Sequence, residues 1–223
     1  MPRDVVVVGM GGFGRELLDV VEAHNAAVDE RLNVIGIVDD DPSVAKLDRI
    51  AARGYRYLGA SANVIATHTP VGYILGVGNP NVRRQLAEVF DAAGWHAVSV
   101  VHPSASVGSV GVVADGAVVC GGVQLSTNTI LGRHVHLNPG AIVGHDARVG
   151  DFTSVNPGAI VSGEVVLGIG VLIGAGAVVL QGLTVGANSI VGAAACVTRD
   201  VAAGRTVIGI PARPIVLPEE STP

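Results

Sequence analysis

From Val101 to Val197 an aliphatic residue stands at every sixth position, seventeen times in succession. The series opens Val101, Val107, Val113, Val119 and closes Val185, Val191, Val197. A second, mostly small residue follows four places after each, as at Ala105, Gly111 and Ala117. An α-helix repeats about every 3.6 residues and a strand about every 2, so a period of six requires a corner once per repeat. The chain is therefore expected to form a solenoid of short strands. Three hexads complete one triangular coil of 18 residues, and residues 18 apart stack at about 4.8 Å. The composition fits a narrow interior: 49% of residues are hydrophobic but only 3% aromatic, and 31 glycines are available for corners.

The first ~98 residues lack this beat and alternate strand and helix patterns, which marks a domain boundary. Asp4–Val8 reads as a strand, Gly9–Gly14 as a tight turn, Arg15–Asn25 as a helix and Asn33–Val38 as a second strand. Val71–Val77, Val82–Ala93 and Ala97–Val101 follow as strand, helix and strand. The expectation is a Rossmann-like α/β domain over 1–98, a solenoid over 99–201, and a cap and tail over 202–223.

Several classes are excluded early. The formal charge is −5 with no basic block, which argues against nucleic acid as partner. Cys120 and Cys196 have neither metal-ligand nor redox spacing and read as small buried residues. Val5–Val8 is too short for a signal peptide core or a membrane span, so the expected location is the cytoplasm.

Gly9-x-Gly11-Gly12-Phe13-Gly14 lies between a strand and a helix, where backbone can approach a phosphate at a helix N-terminus. Asp39 and Asp40 follow the second strand, where a carboxylate could meet a ribose or base. Since ~98 residues hold little more than one mononucleotide half, a nucleotide-diphosphate sugar fits better than a dinucleotide. Asn79 and Arg83 follow another strand end and are candidate second contacts, although exposed loop polarity would explain them almost as well.

In the solenoid, His134, His136 and His145 are separated by 2, 9 and 11 residues, a spacing unlike that of the zinc histidines of γ-class carbonic anhydrases. No metal is expected. His145, beside Asp146 at a corner, is the candidate general base. The 18-residue ruler puts Gly163 directly over it, with a backbone N–H suited to an oxyanion. The same ruler puts Ser154 over His136, and His134 and His136 read as groove or interface residues.

Together these residues resemble the bacterial left-handed β-helix acyltransferases of the sialic acid O-acetyltransferase and nucleotide-aminosugar N-acetyltransferase type. The resemblance spans nearly the whole chain. It includes the glycine turn, Val38-Asp39-Asp40-Asp41-Pro42, Gly78-Asn79-Pro80, His102-Pro103-Ser104-Ala105, Asn138-Pro139-Gly140-Ala141, His145-Asp146, Thr198-Arg199-Asp200-Val201 and Gly209–Arg213. It implies a left-handed parallel β-helix and a homotrimer with acetyl-CoA between neighbouring solenoids. His145 would be the base, Asp146 its orienting acid and Gly163 the oxyanion donor. Gly9, Gly11, Gly12, Phe13, Gly14, Asp39, Asp40, Asn79, Arg83 and Asn138 would serve the nucleotide-sugar. Ser154, Gly163, Ala175, Arg199 and Arg213 would serve acetyl-CoA. Phe13 and Ser154 depart from the family, which often carries histidine at both. An amine near neutral pKa is the easier nucleophile, so N-acetylation of a nucleotide-linked amino sugar is expected. Transfer to a sugar hydroxyl, or a non-catalytic solenoid that only assembles or binds nucleotide, are the alternatives.

Overall fold

The computed structural model describes residues 2–215; residues 216–223 of the expected tail lie outside the described residues. The first part contains β1 (Arg3–Val8), α1 (Gly12–Ala27), β2 (Leu32–Val38), α2 (Val44–Ala51), β3 (Tyr57–Gly59), α3 (Ser61–Thr67), β4 (Gly72–Leu75), α4 (Pro80–Ala92) and β5 (His96–Ala97). Its parallel sheet runs β3-β2-β1-β4-β5. The valines of β1 are buried on both faces, as a central parallel strand requires. Strand order reverses around β1, so the loops after β1 and β4 diverge and open a crevice at the carboxyl ends of the strands. Ser43 and Asn79 cap α2 and α4 by accepting backbone N–H bonds, whereas α1 begins at Gly11 with no side-chain cap.

The strand expected over Ala97–Val101 is instead two strands in different sheets. Val98 N–H still donates to Tyr73 of the α/β sheet, but Val100 N–H donates to Ala117 of the solenoid. A continuous apolar run cannot reveal that its hydrogen-bonding partners change midway.

Beyond this point two-residue strands recur every six residues and pair in parallel with the strand 18 residues on, as in Gln124↔Ile142↔Ile160. They form three faces of a parallel β-helix. Face I carries Val100–Val101, Val118–Val119, His136–Leu137, Ser154–Val155, Leu172–Ile173 and Ile190–Val191. Face II carries Ser106–Val107 through Cys196–Val197, and face III Val112–Val113 through Thr184–Val185. From Val119 to Val197 every sixth residue is at most 2% exposed, so the hexad series is the core. Each such side chain contributes about 1.5–3 kcal/mol. The series fails only in the first coil, where Val107 is 46% exposed because no coil precedes it.

The α/β domain packs on face I. It buries Val118, His136 and Ser154 but leaves Ile190, higher on the face, exposed. This packing decides what each cavity can contain.

Candidate active site

A cavity of about 360 Å³ opens at the switch point, lined by Gly9, Gly11, Gly12, Phe13, Asp39, Asp40, Lys46 and Gly76–Gly78 among others. Its glycines divide into two kinds. Gly9 has φ +104°, and a Cβ on Gly14 would overlap the Gly9 carbonyl, so these two make the turn and the close helix–strand contact. A Cβ on Gly11, Gly12 or Gly78 would meet nothing within 4 Å. Those three leave room beside the uncapped N-terminus of α1, where free N–H groups and the helix dipole favour an anion.

The two aspartates build the opposite wall. Asp39 accepts from Met10 N–H at 2.7 Å and Asp41 N–H at 2.9 Å, and Lys46 lies 3.7 Å from its Oδ1. Asp40 accepts from the Ser61 N–H at 2.6 Å and hydroxyl at 3.0 Å, fixing the start of α3. Lys46 escaped the sequence reading because it stands in no motif, and the loop that carries Gly78-Asn79-Pro80 lines the cavity with Gly76, Val77 and Gly78.

Two expected contacts lie elsewhere. Arg83 is not a cavity residue: it is fully buried, and its guanidinium donates to the carbonyls of Val77, Gly78, His134 and Phe152 and to the Ser154 hydroxyl. Ser154 is likewise buried beneath the α/β domain, with Arg83 Nη2 at 3.0 Å, and is not open to a cofactor. Sequence spacing could not anticipate that the α/β domain covers this coil. Asn79 caps α4 and lines a second cavity, of about 380 Å³, with Asn156 and Asn188. Asn138 sits at the corner between faces I and II and donates to the Val155 carbonyl at 3.1 Å.

His134 and His136 lie between the domains. Phe13 stacks on His136 with centroids 4.4 Å apart, and Phe152 stacks on His134 at 5.2 Å. Burial pulls His134 down to about 4 and His136 well below the usual imidazole value, so both rings are held neutral.

His145 occupies the exposed corner between faces II and III, beside a shallow cavity of about 470 Å³ over face II. Adjacent side chains on a strand diverge, but Asp146 has φ +60°, which turns its carboxylate back to the ring. Asp146 Oδ2 lies 2.8 Å from His145 Nδ1, and Oδ1 accepts from Asn128 Nδ2 at 3.1 Å. The hydrogen bond from His145 holds the Asp146 carboxyl below its usual range, with Asn128 adding to it. A carboxylate only accepts, so Nδ1 carries the ring proton and Nε2 is left as a base. A Cβ on Gly163 would stand 2.5 Å from that Nε2. The Gly163 N–H donates no hydrogen bond among the described residues, whereas Ser162 and Glu164 both do. Asn128 was missed, although it lies 18 residues before Asp146 and the same ruler points to it.

The remaining acetyl-CoA candidates spread along the solenoid. Ala175 is exposed at the corner between faces I and II. Arg199 and Arg213 are exposed and line a cavity of about 300 Å³ with Arg205 at the C-terminal end. Among the described residues no group of three His, Cys, Asp or Glu side chains could hold a metal ion, and no helix is long and apolar enough to cross a membrane.

Residues 4–90 match the family model of the PglD N-terminal domain. The chain is 31% identical over 148 residues to GDP-perosamine N-acetyltransferase of Escherichia coli O157:H7, covering 66% of this chain and 65% of that protein. It carries a PglD N-terminal domain and is homologous to sugar acetyltransferases. UDP-N-acetylbacillosamine N-acetyltransferase of Bacillus subtilis is 32% identical over 120 residues, 52% of this chain and 51% of that protein. The sequence matches thus span just under two thirds and about half of these curated relatives. Solved structures match over more of the chain. PerB from Caulobacter crescentus, in complex with CoA and GDP-perosamine, has a TM-score of 0.83 at 28% identity, covering 96% of this chain and 97% of that one. The acetyltransferase domain of PglB from Neisseria gonorrhoeae, in complex with acetyl coenzyme A, has a TM-score of 0.84 at 29% identity, covering 96% of this chain and all of that one. The chain's α/β region followed by stacked parallel strands in repeats, consistent with a left-handed β-helix, matches these two structures over nearly its whole length.

Proposed function

We propose that this protein is an acetyl-CoA-dependent N-acetyltransferase acting on the amino group of a nucleotide-linked sugar, with His145 as general base. The observation that carries the reading is the corner itself: an imidazole oriented through Nδ1 by Asp146, with Nε2 free over the Gly163 backbone. In the reaction the acceptor nitrogen attacks the thioester carbonyl while Nε2 takes its proton. The Gly163 N–H donates to the oxyanion of the tetrahedral intermediate, an effect worth about 3–4 kcal/mol per donor elsewhere. Collapse forms the amide and expels the CoA thiolate, which recovers the proton from the imidazolium.

A homotrimer is part of the proposal. The cavity at the glycine turn is lined only by α/β residues and the cavity at His145 only by solenoid residues. Asn138 sits at a different corner of the triangle from His145. A second copy is needed to bring an acceptor held by one chain to the base of another. Apolar side chains flank the His145 corner on both faces, Ile142 on face II and Ile130 and Val166 on face III, each exposed in the single chain. Different patches meeting head to tail close into a ring, the symmetry of a trimer. Arg199 lies three coils above His145, roughly 14 Å at the coil spacing, within reach of the phosphates of a cofactor whose thioester is at the corner. Such a reaction belongs in the cytoplasm, where acetyl-CoA and nucleotide-sugars are made.

Incubation with acetyl-CoA, a thiol reagent and a panel of GDP-, UDP- and dTDP-linked amino sugars tests the reading. The expected result is thiol release with one acceptor and a product 42 Da heavier, roughly one acetyl group, that resists mild base as an amide does. A base-labile ester would move the activity to a hydroxyl. Absence of both turnover and CoA binding would overturn it.

A further inference from the structure

The buried Arg83 has no role in the reaction as written, yet its environment is unusual for a cation. It is fully buried, and all its acceptors are neutral: four backbone carbonyls and one hydroxyl. Among the described residues no carboxylate pairs with it, and burial pulls its guanidinium down to about 9. Desolvating an unpaired charge is costly, so the arrangement has to be held by geometry that those five contacts supply together.

Those contacts join three parts of the molecule. Nη1 donates to Val77 at 2.8 Å and Gly78 at 3.1 Å, in the loop that lines the nucleotide-sized cavity. Nε donates to His134 at 3.0 Å, and Nη2 to Phe152 at 2.5 Å and Ser154 at 3.0 Å, on two successive coils. The loop is gripped from its other side by the glycine turn, where a Cβ on Gly76 would lie 2.6 Å from the Gly14 Cα. Peptide planarity adds a consequence. In a trans peptide the N–H points opposite to the carbonyl, so with the Val77 and Gly78 carbonyls on Arg83, the Gly78 and Asn79 N–H groups point away from it. Neither N–H donates a hydrogen bond among the described residues, and Gly78 lines both the first and the second cavity.

We propose that Arg83 is a positioning residue for the nucleotide-linked acceptor: it fastens the Gly76–Asn79 loop to two solenoid coils and turns the Gly78 and Asn79 N–H groups toward the bound substrate. The inference rests on the acetyltransferase reading. Lysine cannot reproduce the role, because a single ammonium lacks the planar fork that reaches both the loop and the coils.

The test compares the wild-type chain with Arg83→Lys and with Ser154→Ala, which removes one of the five contacts. Calorimetry with GDP and UDP, steady-state kinetics with the nucleotide amino sugar the wild type uses, and thermal melting are read together. The expected result for Arg83→Lys is an acceptor KM raised about tenfold or more, with weakened nucleotide binding and an acetyl-CoA KM within about twofold of wild type. Ser154→Ala is expected to move the acceptor KM the same way by about two- to fivefold and to remain folded, which keeps the test valid if Arg83→Lys does not fold. An unchanged acceptor KM in both variants overturns the proposal. So does a parallel rise of both KM values with loss of folded protein, which would mark Arg83 as structural only. A wild-type chain that binds neither nucleotide and acetylates no nucleotide amino sugar overturns the functional reading, and the positioning role with it.

Discussion

The cavity of the α/β domain and the corner at His145 are assembled in opposite ways. At the corner every working contact is between neighbours or spans one coil: His145 with Asp146, Asp146 with Asn128 18 residues earlier, and the imidazole with Gly163 18 residues later. The cavity draws together residues 29 apart at Met10–Asp39 and 21 apart at Asp40–Ser61, and it is tied to the solenoid by contacts spanning 69 and 71 residues at Arg83. A quasi-one-dimensional repeat carries its geometry in its period, whereas a switch-point crevice exists only after several loops have converged.

If the corner is the chemical half, substitutions there should act on turnover with little effect on acceptor affinity. His145→Ala is expected to lower kcat by about two orders of magnitude or more with unchanged assembly by light scattering. Near-wild-type turnover would break the comparison. Acid should strike the junction between the halves. His134 and His136 are held neutral in the fold but take protons near pH 6.5 when unfolded. The contribution of His134 is complete above about 6.5 and is lost as pH falls toward 4, and His136, depressed by its burial, acts in the same direction. His134, facing Arg133, Asp91, Arg83 and Asp151, should by itself cost roughly 2 kcal/mol by pH 5. Urea titrations followed by the fluorescence of Trp95, the single tryptophan and 3% exposed, should show the midpoint falling between pH 7.5 and 5. A constant midpoint would mean that the histidines are not buried neutral.

Gly163→Ala is smaller and sharper. The added methyl displaces the imidazole without straining the backbone, since Gly163 does not adopt a positive φ, and kcat should fall on the order of tenfold at constant melting temperature. Gly12→Ala is its counterpart in the cavity. Its methyl enters open space, so stability should hold while the acceptor KM rises about threefold and kcat stays. A kcat effect there would dissolve the distinction between the halves.

The corner was legible because a ruler of 18 residues converts sequence distance into spatial contact, and that ruler also reaches Asn128. The glycine turn was legible as a turn. Which of its glycines pack and which stand open was not, since Gly76 and Val77, more than sixty residues on, share the decision. Arg83 looked like a ligand contact because a charge after a strand end usually faces water, and Ser154 because the family resemblance implied a place near acetyl-CoA.

The hexad series alone determined the β-helix, its inward residues and the stacking of His145 under Gly163, because each follows from periodicity. The tertiary structure decided that face I is covered by the α/β domain, that Arg83 and Ser154 are buried there, and that Asp146 turns back to its histidine through a positive φ. Those depend on how two domains dock and how one corner residue bends, and no local period encodes either.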